Sequence, residues 1–144
     1  MLPNCFPDRG EPPTYNTVDA ALWYFQAVRE YVEATQDLKF LAEVYPTLED
    51  IGAWYERGTR YGIHMDPADS LIAAAAEDVQ LTWMDAKADG WVVTPRQGKP
   101  VEINALWYNA CAAMAWFAGR LKRPAEAHEH RTCEIELSFQ RFWN

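Results

Sequence analysis

Apolar residues recur at helical spacing in two long stretches, and this pattern limits the fold more than any other feature of the chain. Between residues 18 and 32 they repeat every three or four positions, as on one face of an α-helix. Two such stripes run along this helix: Val18, Leu22, Phe25, Val28 and Val32, then Ala20, Trp23 with Tyr24, Ala27 and Tyr31. We therefore expect this helix to be packed on two sides. A second long helix is predicted over about 101–121, with Pro100 at its start.

Prolines and capping residues divide most of the remaining chain into shorter elements. Four prolines within residues 1–14 predict an extended entry. The first helix should begin at Asn16 or Thr17, since Asn is a favoured N-cap residue. Pro46 should end a helix that starts near residue 37, and another helix should follow it to about residue 60. A last helix should begin at Pro124 and continue to about residue 142.

Residues 79–100 are the least helical part of the chain, because they combine β-type residues with prolines and a glycine. A long loop in a compact domain is usually functional, and we predict a pocket where it meets the starts of the two long helices. The expected fold is a single all-α domain over residues 1–144, built of helical hairpins with long functional loops.

Composition and charge exclude several classes of partner. The chain has 144 residues, of which 49% are apolar and 24% charged, as in an ordinary globular domain. Its 13 Lys and Arg residues against 21 Asp and Glu residues give a net charge of −8. We expect no nucleic-acid partner and no membrane partner, because anionic surfaces attract basic patches. No apolar run approaches the ~20 residues of a membrane span.

The cysteine and histidine patterns predict neither a metal nor a cofactor. Cys5, Cys111 and Cys133 are odd in number and fit neither a zinc site nor a disulfide framework. His128 and His130 stand among glutamates, as on a solvated helix face. The first residues lack the basic and apolar regions of a signal peptide. We therefore expect a reducing, cytoplasmic location.

Asp19 is the main catalytic candidate, and it has two interpretations. As a carboxylate at a helix start, it can satisfy first-turn amides and the helix dipole. As a general acid, it needs a raised pKa and therefore burial against apolar surface. Tyr15 and Trp23 are the neighbours that could supply that surface. Position alone favours the capping role.

Further candidates lie in the long loop and just after it. Trp83 and Asp85 combine an aromatic face with a carboxylate, which is one way to hold a sugar, although a core Trp beside a turn Asp is the simpler interpretation. Arg96 precedes Glu102. This pair is either a surface ion pair or an arginine that orients a carboxylate or a substrate hydroxyl. Glu102 and Asn104 lie on an otherwise apolar helix, which indicates a polar pocket or capping.

Three segments together are more specific than any of these residues alone. They are NCFPD followed by GEPPTYNTVDAALW within residues 4–23, QLTWMDAK over 80–87, and VTPRQGKPVEINALWYN over 93–109. In order and spacing they resemble the C-terminal catalytic domain of glycogen debranching enzymes, the amylo-α-1,6-glucosidase part. The resemblance covers nearly the whole chain.

The resemblance implies a fold, an activity and a set of site residues. That family folds as an (α/α)6 toroid of twelve helices around a central pocket, and this chain would form about half of it. The family hydrolyses α-1,6-linked glucosyl stubs of glycogen or a similar α-glucan, and its general acid corresponds to Asp19. The positions that match its sugar-binding residues are Tyr15, Trp23, Trp83, Asp85, Arg96, Glu102, Asn104 and Trp107.

The same resemblance places the second catalytic carboxylate of the family outside this sequence. Glycoside hydrolysis needs two carboxyl groups, about 6.5–9.5 Å apart for inversion or about 5–5.5 Å for retention. Glu102 is a candidate replacement, but its place in the motif resembles that of a binding residue. We expect an inactive fragment of a glucosidase. The alternatives are a module that binds α-glucan without cleaving it and a helical interaction protein.

Half a toroid would leave two flanks without a neighbouring hairpin. The aromatic residues expected on these flanks are Trp54, Tyr55, Trp116, Phe117, Phe139, Phe142 and Trp143. Large exposed apolar patches usually mark interfaces, so the sequence predicts a homodimer formed through the flanks. The alternative is a compact bundle in which the proline-rich N-terminal segment covers an open side.

Overall fold

The computed structural model describes residues 2–76 and 79–143, and most of these residues are helical. The helices are α1 (Ala20–Thr35), α2 (Leu38–Arg57), α3 (Val101–Arg120) and α4 (Glu126–Phe139). Two short 3-10 helices span Arg60–Gly62 and Gln140–Phe142. Four two-residue strands are β1 (His64–Met65), β2 (Ile72–Ala73), β3 (Lys87–Ala88) and β4 (Trp91–Val92). The predicted all-α fold is confirmed in part, since the chain is mostly helical but also contains these short strands.

Both strand pairs are antiparallel and lie between α2 and α3 in the chain. His64 is opposite Ala73 in the first pair, and Ala88 is opposite Trp91 in the second. Asp89 and Gly90 connect β3 to β4 with positive φ angles of 50° and 81°, as a type I′ turn requires. The second pair therefore forms a tight hairpin within the long loop.

The four α-helices form two antiparallel hairpins. Gln36 and Asp37 join α1 to α2, and the Asp37 carboxylate caps α2 by accepting a hydrogen bond from the amide of Phe40 at 2.9 Å. At the other end of this hairpin, the Tyr55 hydroxyl donates to the carbonyl of Val18 at 2.5 Å. Residues 121–125 join α3 to α4.

Pro46 lies inside α2, so the predicted break at this residue is wrong. A proline inside a helix removes a backbone donor and crowds the preceding turn, at a cost of about 3 kcal/mol. On one face, α2 buries Leu41, Tyr45, Leu48 and Tyr55. Burial of such side chains contributes about 1.5–3 kcal/mol each, which offsets the cost of the proline and keeps the helix continuous.

Helix α1 begins later than the sequence predicts, and its two stripes are buried to different extents. Its first residue is Ala20, because the Val18 amide donates to the carbonyl of Leu81 at 2.8 Å and fixes an extended segment before the helix. The stripe from Val18 to Val32 is buried. In the second stripe, Trp23 and Tyr31 are 56% and 44% exposed, whereas Tyr24 packs against the core and the Tyr31 ring lies 4.8 Å from that of Phe40. The second stripe is therefore covered only in part.

Helix α3 occupies the centre of the molecule, since it packs against α1, α2 and α4. Its buried residues are Ile103, Asn104, Trp107, Ala110, Cys111, Ala113, Met114, Phe117 and Ala118. Across residues 2–76 and 79–143, every helix is too short or too polar to cross a bilayer.

Candidate carbohydrate site

Helices α1 and α3 lie side by side and run in the same direction. The side-chain amide of Asn109 donates to Oε1 of Gln26 at 2.6 Å, and nearer the other end Arg120 donates to the side chain of Gln36. The two partners are 83 residues apart in sequence in the first pair and 84 residues apart in the second. A nearly constant offset along both helices means that they are parallel.

This arrangement brings two candidate carboxylates to one end of the molecule. The offset of 83 places Glu102 level with Asp19, at the starts of neighbouring helices. The partial positive charge of both helix N-termini favours anionic groups there.

Asp19 is the N-cap residue of α1 and is nearly buried, with 9% of its surface exposed. Its carboxylate accepts no hydrogen bond from the amides of the first turn of α1, all of which the structure describes. Instead, its Oδ1 accepts a hydrogen bond from the Thr17 hydroxyl. Burial, and secondarily the charge of Asp19, raise the pKa of Tyr55. The aromatic neighbour of Asp19 is therefore Tyr55, whereas Trp23 is exposed.

Arg96 connects the long loop to the start of α3. Its Nε lies 3.1 Å from Oε1 of Glu102, and its guanidinium reaches Sδ of Met84 at 2.9 Å. The ion pair satisfies the distance but not the angle of a hydrogen bond, so both buried Glu102 oxygens lack a hydrogen-bond partner among the described residues. This carboxylate is held in place by charge, and both of its oxygens are inaccessible to solvent.

Trp83 and Asp85 flank Met84 on the same loop and are exposed, with Trp83 exposed over 66% of its surface. The hydrogen bond from the Val18 amide to Leu81 anchors this part of the loop beside the start of α1. Trp23, in the first turn of α1, is also exposed. The loop and α1 thus present exposed aromatic faces and a carboxylate.

Asn104 and Trp107 lie in the interior, and their polar atoms are occupied by backbone groups. The Asn104 side chain accepts from the Ile72 amide at 2.7 Å and donates to the carbonyls of Ile72 and Pro100 at 3.1 and 3.0 Å. Nε1 of Trp107 donates to the carbonyl of Ser70 at 3.1 Å. These contacts hold the segment around β2 against α3, beneath the candidate site.

Tyr15 lies in a cleft of about 590 Å³ that Asn16, Arg60, Gln80 and Asp85 also line. The guanidinium of Arg60 is 5.4 Å from the centre of the Tyr15 ring. The sequence predicted a pocket at the starts of both long helices. None of the described residues that line this cleft belongs to α3, so the cleft lies at the start of α1 only. Sequence reasoning missed Arg60, whose only signal is its place just after the end of a helix.

Among the described residues, no group of three or more His, Cys, Asp or Glu side chains is arranged to hold a metal ion. All three cysteines are free, and Cys111 is buried. Burial raises the pKa of the Cys111 thiol, which keeps it protonated.

The fold and this end of the molecule define a helical-hairpin domain whose helix starts and loops present carboxylates, an arginine and exposed tryptophans, a combination suited to binding sugars. The chain belongs to the amylo-alpha-1,6-glucosidase family, whose model matches residues 1–144. The family predicted from the three sequence segments is thereby confirmed. Neither a curated protein nor a solved structure matches the chain.

Proposed function

We propose that this chain forms the substrate-binding end, with the acid carboxylate, of a debranching-type glucosidase that hydrolyses α-1,6-linked glucosyl stubs of glycogen or a similar α-glucan. The observation that carries the proposal is the level placement of Asp19 and Glu102 on parallel helices, in a chain that belongs to the amylo-alpha-1,6-glucosidase family. The cysteine pattern supports a cytoplasmic location.

The order of the helices supports an (α/α)6 toroid. Arg131 on α4 lies 3.5 Å from Glu56 near the end of α2, and Arg123 just before α4 lies over the Tyr45 ring at 4.5 Å. Helices α2 and α4 are therefore parallel, like α1 and α3. In this proposal α1 and α3 belong to the inner ring and α2 and α4 to the outer ring. The four α-helices of the described residues are a third of twelve, and not the half that the sequence predicted.

In the proposed site, Asp19 protonates the glycosidic oxygen and Glu102 accepts a hydrogen bond from a sugar hydroxyl. Arg96 orients Glu102 through the 3.1 Å ion pair. Asp85 holds further hydroxyls, since a carboxylate is a strong acceptor.

The aromatic members of the proposed site act in two ways. Trp23 and Trp83 offer exposed ring faces to the C–H side of the sugar, and Tyr15 contributes from the neighbouring cleft. Trp107, together with Asn104, is a positioning residue, because its polar atom is bonded to backbone in the interior.

Binding of α-glucan tests the proposal. Calorimetric titration with a branched maltooligosaccharide is expected to show binding to the wild-type chain, weakened about tenfold in Trp83→Ala because a buried aromatic contact is lost. The matched control is Trp91→Ala, since Trp91 on β4 has the same 66% exposure as Trp83. Equal weakening in both variants, or no binding by the wild type, contradicts the proposal.

A non-catalytic glucan-binding module is the second candidate function, and the exposed rings of Trp23 and Trp83 favour it because stacking on a sugar needs neither an acid nor a base. Binding without turnover, in a protein whose adjacent reading frames hold no further family sequence, supports this candidate. If neither binding nor turnover is found, a helical interaction protein remains.

We also propose a homodimer that forms through an apolar flank near the end of α4. Tyr55 and Phe117 are buried and do not contribute to a flank, but Leu137 and Trp143 are 74% and 76% exposed. A hollow of about 360 Å³ lies beside Trp143, and Tyr108 and Phe139 also line it.

Sedimentation at tens of micromolar is expected to show a dimer for the wild type and a monomer for Trp143→Glu, because a charge cannot be buried in an apolar interface without cost. Trp91→Glu, which alters an exposed tryptophan far from this flank in the sequence, should remain dimeric. A monomeric wild type would show that the flank does not mediate self-association.

A further inference from the structure

The chain between Arg96 and Glu102 has to follow one particular path for these two side chains to meet. Nε of Arg96 lies 3.1 Å from Oε1 of Glu102, and the Arg96 side chain is 29% exposed. An ion pair that reaches solvent contributes little to stability by itself. Residues 97–101 must therefore be held by other contacts if Arg96 is to stay against Glu102.

Gly98 provides one of these contacts through its backbone. Its amide donates to the carbonyl of Ala74 at 2.9 Å, and its carbonyl accepts from the amide of Ala74 at 2.8 Å. Gly98 has a φ of 94°, which glycine adopts more readily than other residues. This bridge fixes one point of the connecting segment, and a single fixed point leaves the direction of the segment open.

Lys99 provides a second fixed point through its side chain. Its Nζ donates to Oδ2 of Asp66 at 2.6 Å and to Oδ2 of Asp69 at 2.7 Å, both in the turn between β1 and β2. The Asp69 side chain is only 3% exposed, so solvent screens this pair less than a surface pair. The hydrogen bond from Lys99, followed by one from the Ala68 amide, lowers the pKa of the Asp66 carboxyl. Lys99 thus meets two carboxylates that are fixed by their own turn.

We infer that Lys99 is a positioning residue of the proposed site, whose ion pairs with Asp66 and Asp69 hold the connecting segment so that Arg96 lies against Glu102. Lys99 acts through Arg96 and touches neither the sugar nor the acid. Because the placement of Arg96 matters to a glucan only if the proposed function holds, this role rests on that function.

Methyl NMR of the full chain labelled with ¹³C at its methionine methyl groups tests the placement without a ligand. The Arg96 guanidinium lies 2.9 Å from Sδ of Met84, so the Met84 methyl signal reports where Arg96 is. Arg96→Ala should move this signal, and Lys99→Ala should move it in the same direction. Met114 is buried on α3, and its signal should stay at the wild-type position in both variants.

Milder variants keep the test informative if Lys99→Ala folds poorly. That variant still leaves Asp69 paired with Arg141, which donates to its Oδ2 at 2.7 Å, so the buried carboxylate keeps an opposite charge. Asp66→Asn removes one of the two charges that face Lys99 and should move the Met84 signal part of the way. Lys99→Arg keeps the positive charge and should restore the wild-type signal.

The matched control is Lys39→Ala, because Lys39 is an exposed lysine on α2. It should leave the Met84 signal unchanged. If the Met114 signal moves in Lys99→Ala, Lys99 supports the fold as a whole and the positioning role is overturned.

Calorimetric titration with a branched maltooligosaccharide links the placement to binding. Arg96→Ala and Lys99→Ala are each expected to weaken the dissociation constant about tenfold. The double variant should bind no more weakly than Arg96→Ala alone, because Lys99 acts through Arg96. Additive losses, or unchanged binding by Lys99→Ala, overturn the positioning role.

The NMR outcomes also separate this role from the proposed function. If the Met84 signal moves in Arg96→Ala but not in Lys99→Ala, the positioning role is refuted even where glucan binds. If neither variant moves the signal, Arg96 does not lie at Met84, and the role is refuted as well. If both variants move it and the wild type binds no glucan, the proposed function fails, while the placement of Arg96 by Lys99 stands.

Discussion

Replacing Asn104 with alanine is expected to lower the free energy of unfolding by about 3–4 kcal/mol. The Asn104 side chain is fully buried and bridges α3 to β2 through the amide and the carbonyl of Ile72. Alanine removes both contacts and leaves two backbone groups in the interior without these partners, each at a cost of about 1–3 kcal/mol. Urea denaturation followed by circular dichroism measures the change.

Asn109→Ala is the matched control, because it alters the same residue type on the same helix. Asn109 is partly buried and makes a single side-chain hydrogen bond, to Gln26. Its replacement should cost no more than about 1 kcal/mol. Equal losses of unfolding free energy in the two variants would show that the bridge between α3 and β2 stabilises the fold no more than an ordinary side-chain hydrogen bond does.

The isolated chain is expected to release no glucose from a branched dextrin. Hydrolysis needs an acid and a second carboxyl group that activates water or attacks the sugar. The carboxylate level with Asp19 is Glu102, which lies 3.1 Å from the Arg96 guanidinium. Glu102 is held in that ion pair, and its place in the motif resembles that of a binding residue, so it is not assigned as the base. The measurement is a glucose assay on purified protein incubated with a limit dextrin.

If glucose release is found, three variants identify the residues that act as acid and base. Glucose release that is lost in both Asp19→Asn and Glu102→Gln would refute the prediction and assign the base to Glu102. Asp85→Asn is the comparison for the acid, since Asp85 is an exposed carboxylate of the neighbouring loop. If release survives in Asp19→Asn and disappears in Asp85→Asn, the acid is Asp85 and Asp19 is a binding residue.

The sequence predicted the long helices better than it predicted their ends and interruptions. The stripe from Val18 to Val32 identified α1, and Pro100 marked the residue before α3. Both signals are local, because they depend on spacing within one segment. Pro46 was misinterpreted because its local cost is real, but the burial that offsets this cost comes from residues on other helices.

The candidate site was predicted as a set of residues but not as a geometry. Three motifs were sufficient to identify the family that the whole chain matches. They could not distinguish Asn104, which is bonded to buried backbone, from Glu102, whose oxygens lack hydrogen-bond partners among the described residues. They also gave no reason to select Arg60, since its approach to Tyr15 joins segments that are far apart in the chain.

The sequence alone determined where the long helices and loops lie, the net charge, and the motifs of an amylo-alpha-1,6-glucosidase, because each of these is a property of a continuous segment or of composition. The tertiary structure decided which stripe of α1 is buried and that Asp19 is level with Glu102. Those features depend on the parallel packing of α1 and α3, which is fixed by contacts between residues 83 and 84 positions apart. Helical periodicity specifies the apolar faces of a helix. Only the neighbouring helix decides which face is covered and which residues of the two helices lie side by side.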